Sequence, residues 1–159
     1  MSANPSALLV MLEHAERERD EALAELQQAR QMTEGQERQA QSLQDWRRDY
    51  QSRWQAQFQQ SGGVEIMRCY QDFMQRLGSA VSDQDVKVAQ ARARQERCQA
   101  ALLERERKVA AIAQLLERRQ AERQRQQARQ EQKATDELAA RQHRAAPWHG
   151  DPSGPPTVT

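Results

Sequence analysis

The chain has 159 residues, 30% of them charged and only 4% aromatic, with a formal net charge of +1. Its mean hydropathy is -1.06, too polar for a compact globular core of this length, and its near-neutral charge implies no general attraction to nucleic acid or to an anionic membrane. Two classes remain, a disordered chain or long helices that bury a narrow seam.

The helix breakers decide between them. Proline occurs at Pro5 and not again until Pro147, and glycine between those points is limited to Gly35, Gly62, Gly63 and Gly78. Ala, Gln, Arg, Glu and Leu fill the rest and favour helix. The fold class is therefore all-α.

A first helix is expected from Pro5 to about residue 60, with Asn4 as its cap. Its seam runs Leu8, Leu12, Ala15, Arg19, Ala22, Leu26, Ala29, Thr33, Gln36, Ala40, Leu43, Arg47, Tyr50, Trp54. Steps of four and three alternate, as in a heptad seam, although Arg and Gln occupy several core slots. Ser61-Gly62-Gly63 then reads as a tight turn.

A second helix is expected from about 64 to 142. Its seam runs Ile66, Tyr70, Phe73 or Met74, Leu77, Val81, Gln84, Val88, Ala91, Gln95, Cys98, Leu102, Arg105, Val109, Ile112, Leu116. A short turn makes the helices antiparallel. Folding about Gly62-Gly63 puts Leu8 opposite roughly residue 116, so the second seam stops where the first helix begins. Residues 5–142 are thus expected to form an antiparallel two-helix coiled-coil hairpin.

From about residue 119 the second helix should overhang, by ~36 Å if helical. The stretch ERRQAERQRQQARQEQKATDELAARQ (117–142) carries one aliphatic residue larger than alanine, Leu138. Its backbone ordering, at ~1–2 kcal/mol per residue, is poorly matched by side-chain pairs worth ~0.2–0.5 kcal/mol, so fraying is expected unless something holds it. Residues 143–159, rich in Pro and Gly, read as a disordered tail.

Cys69 and Cys98 fall ~44 Å apart on one helix, too far for a disulfide, which suits a reducing compartment. They read as small seam-filling residues, with Met67 and Met74 as filler. The N-terminus lacks the features of a signal peptide, and no apolar run approaches the ~20 residues of a membrane span, so a cytoplasmic location is expected without membrane insertion. No catalytic residue, metal site or cofactor is expected. A two-helix hairpin offers no pocket, no phosphate-binding or nucleophile motif is present, and His14, His143 and His149 lack zinc spacing.

Two stretches carry a family resemblance. Cys69-Tyr70-Gln71-Asp72-Phe73 contains a YQxF element after the turn, and Gln132 to Arg141 reads QKxxDExAxR. Together with chain length and turn position they resemble the FliJ family of flagellar type III export proteins, to about residue 146. The tail after Pro147 is longer than that pattern, and Trp46 stands where a tyrosine is often found. The resemblance implies a non-catalytic stalk similar to the gamma subunit of rotary ATPases. Such a stalk occupies the hexameric export ATPase ring, promotes its assembly and activity, links it to the membrane export gate and binds export chaperones. It also implies a position in the cytoplasm, peripheral at the inner membrane, and a role in motility.

On that reading residues 117–142, with the adjoining start of the first helix, enter the ring. The candidate contacts are Arg118, Arg123, Arg125 and Arg129, followed by Gln132, Lys133, Asp136, Glu137 and Arg141. A second surface, toward the gate, is expected from Gln39, Leu43, Trp46 and Tyr50 with Phe73, Leu77, Ala80 and Gln84. Leu43, Tyr50 and Leu77 also fit the seam, which leaves Trp46, Phe73 and Ala80 as the better surface candidates. A virulence-type secretion stalk and a self-associating scaffold are the alternative readings.

Overall fold

A computed structural model describes residues 4–60 and 63–147. It contains two helices, α1 (Pro5–Phe58) and α2 (Val64–Ala145). The chain divides into two units, Met1–Ala113 and Gln114–Thr159. Helix α2 contributes to both.

Pro5 opens α1 at a position where its missing N–H is no loss. Asn4 stands at the cap but makes no side-chain capping bond; its carbonyl accepts the amides of Ala7 and Leu8 at 2.9 and 3.3 Å instead. Helix α1 ends at Phe58, slightly before the expected residue 60, and the Gln60 amide donates to the Gln57 carbonyl. Of the expected turn, Ser61 and Gly62 lie outside the described residues. Helix α2 starts on the Gly63 carbonyl, which accepts the Met67 amide at 3.2 Å.

In the first unit the helices pack antiparallel. Residues that rise in number along α1 meet residues that fall along α2. Tyr50 stacks on Phe73, Trp54 meets Tyr70, Glu37 bonds Arg92 and Glu18 bonds Arg105. These pairs lie about equally far from Gly62-Gly63, which is the register the folded seam requires.

The core is the seam. Leu8, Ala15, Ala22, Leu26, Ala29 and Thr33 are buried on α1, and Leu77, Val81, Gln84, Val88, Ala91 and Ile112 on α2. Between Leu12 and Trp54 the remaining α1 seam positions are half-buried, with one exception, Arg47, which is exposed. On α2, Ile66 and Arg105 are the exposed seam positions. An arginine in such a slot lays its stem on the seam and carries its charge to the edge. Arg105 reaches the Glu18 carboxylate at 2.7 Å, and Arg19 reaches Asp20 at 3.0 Å.

Among the described residues two polar side chains are buried, and both are satisfied. Thr33 Oγ1 donates to the Ala29 carbonyl at 2.9 Å. Gln84 Nε2 donates across the interface to the Gln36 backbone carbonyl at 3.0 Å and to Gln36 Oε1 at 2.7 Å. A slipped pairing would strand that amide in an apolar layer, so this contact favours one register.

The turn end is held by rings. Trp54, Phe58 and Tyr70 gather with centroids 5.2–5.8 Å apart, and Tyr50 stacks on Phe73 at 4.4 Å. Among the described residues every aromatic side chain except Trp46 belongs to this group.

Some expectations need correction. Cys69 is exposed and does not fill the seam, because its position turns it off that line; Cys98 is half-buried within it. Met67 is 49% exposed, while Met74 is half-buried as expected. Residues 143–145 belong to α2, not to the tail, and the helix runs without a break past Leu116 to Ala145. The packed part of α2 supplies the nucleus, so each further Ala, Gln, Arg or Glu only has to propagate it. Both ends of α2 carry a charge favourable to the helix dipole, Glu65 in the first turn and Arg144 in the last. The remaining expected tail, residues 148–159, lies outside the described residues.

Glu18 binds three basic side chains. It takes Arg105 at 2.7 Å, Lys108 at 3.4 Å and His14 at 2.9 Å. Burial pushes its carboxyl up, but the Lys108 hydrogen bond and the charges of Arg105, Lys108 and His14 outweigh this and hold it below the usual carboxylate range. A carboxylate lowered in the folded state adds stability above its unfolded pKa and loses it as pH falls through the folded value. Acidification below about pH 4.5 should therefore lower the melting temperature of the wild type more than that of Glu18→Gln, as followed by circular dichroism. Leu26, at 2% exposure, is the largest fully buried side chain. Leu26→Ala should destabilise by about 2–4 kcal/mol in urea titration, whereas Leu9→Ala, at an exposed position, should change stability by less than ~0.5 kcal/mol.

Candidate partner-binding surfaces

The expected surface near the turn is narrower than its sequence stripe. Heptad geometry places Gln39, Trp46, Phe73 and Ala80 on one flank of the seam, each just before a core position. Trp46 is 58% exposed, and Gln39 is exposed beside it. These two, with Ser42 and Leu43, line a shallow depression in which Leu43 is half-buried. Phe73 and Ala80 are half-buried on α2.

Three other members of the stripe serve the interior. Leu77 is 6% exposed and Gln84 4%, so neither offers a side chain to a partner. Tyr50 is half-buried against Phe73. Both stripes share their helices with the seam, and the interior claims the positions that coincide with it. Phe58 was missed altogether. Its signal was available, since it follows Trp54 by one helical turn and so faces the same ring cluster.

The unit Gln114–Thr159 differs in kind. From Glu122 to Pro147 every described residue is exposed. Arg118, Arg123, Arg125, Arg129, Gln132, Lys133, Asp136, Glu137 and Arg141 all stand in solvent on α2. Helical neighbours bond one another locally: Gln132 Nε2 donates to Asp136 Oδ1 at 3.2 Å, and Thr135 Oγ1 donates to the Glu131 carbonyl at 2.8 Å. The two sequence elements therefore have opposite fates. Tyr70 and Phe73 of YQxF are engaged in ring packing, while the residues of QKxxDExAxR are exposed.

A family model described as Flagellar FliJ protein matches residues 5–147. The chain belongs to that family. No curated protein and no solved structure matches it. The match spans both helices and runs through the exposed QKxxDExAxR stretch. Membership makes the chain a component of the flagellar type III export apparatus, and the family is a structural export component, not an enzyme family. Among the described residues no three His, Cys, Asp or Glu side chains are grouped to hold a metal ion. No described helix is long and apolar enough to cross a membrane.

The packing separates two aromatics that look alike in sequence. Phe73→Ala should lower stability by about 1–3 kcal/mol through loss of the stacked Tyr50 contact. Trp46→Ala should alter it by less than ~0.5 kcal/mol. Urea titrations of the two variants, with helicity measured in parallel, check this difference.

Proposed function

We propose that this protein is the non-catalytic central stalk of the flagellar export ATPase, a cytoplasmic protein held at the inner membrane through the export apparatus. The observation that carries the reading is the exposed end of α2, where a helix persists from Glu122 to Ala145 with no buried face. Its surface is Arg, Gln, Glu and Ala, the chemistry of many weak and exchangeable contacts. A shaft inside a ring of six identical subunits needs that chemistry, because one fixed apolar patch cannot match six equivalent sites at once.

In this reading Arg118, Arg123, Arg125, Arg129, Gln132, Lys133, Asp136, Glu137 and Arg141 supply the ring contacts. Trp46, with Gln39, Leu43, Phe73 and Ala80, supplies the surface for the export gate. An exposed tryptophan on a chain so poor in aromatics is suited to act as an anchor for a partner. Export chaperones are further partners, and motility depends on the assembled complex.

Truncation after Leu116 should abolish stimulation of ATP hydrolysis by the purified export ATPase and leave the helicity of the remaining chain intact. A truncated protein that still stimulates fully would remove the ring contacts from residues 117–142. On a sizing column the full chain should join the ATPase at one copy per ring.

A further inference from the structure

The opposite flank of the seam carries a second surface with different chemistry. Leu26 and Arg30 of α1 and Glu96, Gln99, Ala100, Leu102, Leu103 and Glu106 of α2 line a groove. Its floor is apolar, formed by Leu26, Ala100, Leu102 and Leu103. Leu103 is 47% exposed. Leu23, directly after the seam position Ala22, is 41% exposed on the same flank, and Leu9, two heptads earlier, is 53% exposed. Leucines off the seam yet aligned with one another are not explained by the hairpin itself.

The rim is acidic. Glu96 and Glu106 line it on α2, and Glu16 stands one heptad before Leu23 on α1. Arg30 is the one cation among the lining residues. Asp20, nearby on α1, is held by Arg19 at 3.0 Å. Closer to the turn the same flank turns polar, where Arg92 is bonded to Glu37 at 2.8 Å. The chain as a whole is close to neutral, so this acidic border is a local property.

We propose that this groove docks a basic amphipathic helix of a partner protein, its apolar stripe over Leu23, Leu102 and Leu103 and its cations against Glu16, Glu96 and Glu106. A helix of about 17 residues (~25 Å) covers the stretch from Leu9 to Leu26. The charge pattern selects the partner: an acidic helix would meet like charge at Glu96 and Glu106. The exposed end of a second copy does not supply that helix, because in residues 117–144 Leu138 is the single aliphatic residue larger than alanine. Its contacts Leu23, Leu102, Leu103, Glu96 and Glu106 are neither among the named ring contacts nor on the Trp46 flank, so the two readings can fail separately.

The test uses the full chain and fluorescein-labelled helical peptides of about 18 residues, read by anisotropy. One peptide carries a leucine stripe flanked by lysine, the second the same stripe flanked by glutamate, and the third the lysines with serine replacing leucine. The first should bind, and L23S combined with L103S should weaken it about tenfold or more. E96K combined with E106K should weaken it comparably and strengthen the glutamate peptide. All four positions are exposed or line the surface, so helicity should persist in both variants. Equal binding of the serine peptide would reduce the interaction to charge alone and overturn the proposal. Equal binding of the glutamate peptide, or no binding of the first, would do the same. Sedimentation of the free chain supplies a further check: a dimer that L23S/L103S dissolves would make the groove a self-association face instead.

Discussion

Two helices that pack only on each other have one narrow face each to bury, and everything here depends on closing that face over its full length. Small and medium residues do most of it. Ala15, Ala22, Ala29 and Ala91 let the backbones approach, while Leu8, Leu26, Leu77 and Ile112 fill the space between them. With so thin a core, no layer is shielded by another behind it. Each must therefore be apolar, internally bonded, or able to carry its charge out to the edge.

The structure uses all three solutions. Aliphatic layers occupy the middle, Gln84 and Gln36 form a bonded polar layer, and Arg19, Arg47 and Arg105 deliver their guanidinium groups to the rim. The flanks acquire distinct characters as a result. One carries the Glu18 cluster and, further toward the turn, Trp46; the other carries an acidic border around leucines. A two-helix hairpin thus presents several chemically different surfaces.

Much of this was legible in the sequence because a heptad seam has a period that few other arrangements share. Leu8 through Trp54 on α1 and Tyr70 through Ile112 on α2 fall on the expected line, and the helix boundaries follow Pro5 and the paired glycines. What escaped was governed by the partner helix. The course of Arg105 out to the edge depends on the Glu18 carboxylate across the interface. Gln84 and Leu77 belong equally to a core line and a surface stripe on paper; packing alone assigns them inward. The course of α2 from about residue 142 on to Ala145 has no signal of its own in the sequence, because the segment continues a helix already formed.

The arginine pair at Arg19 and Arg105 has a mechanical corollary. Both occupy core slots at one level of the hairpin, as the bond from Arg105 to the neighbouring Glu18 indicates. That level is a missing tooth in the zipper. The few layers outside it, around Leu8, Ala15 and Ile112, are linked across this level to the long run inside by the exposed bonds of Glu18 to Arg105 and Lys108, not by apolar packing. Spontaneous opening should begin at the free ends, stop at this gap, and leave the ring-clasped bend shut.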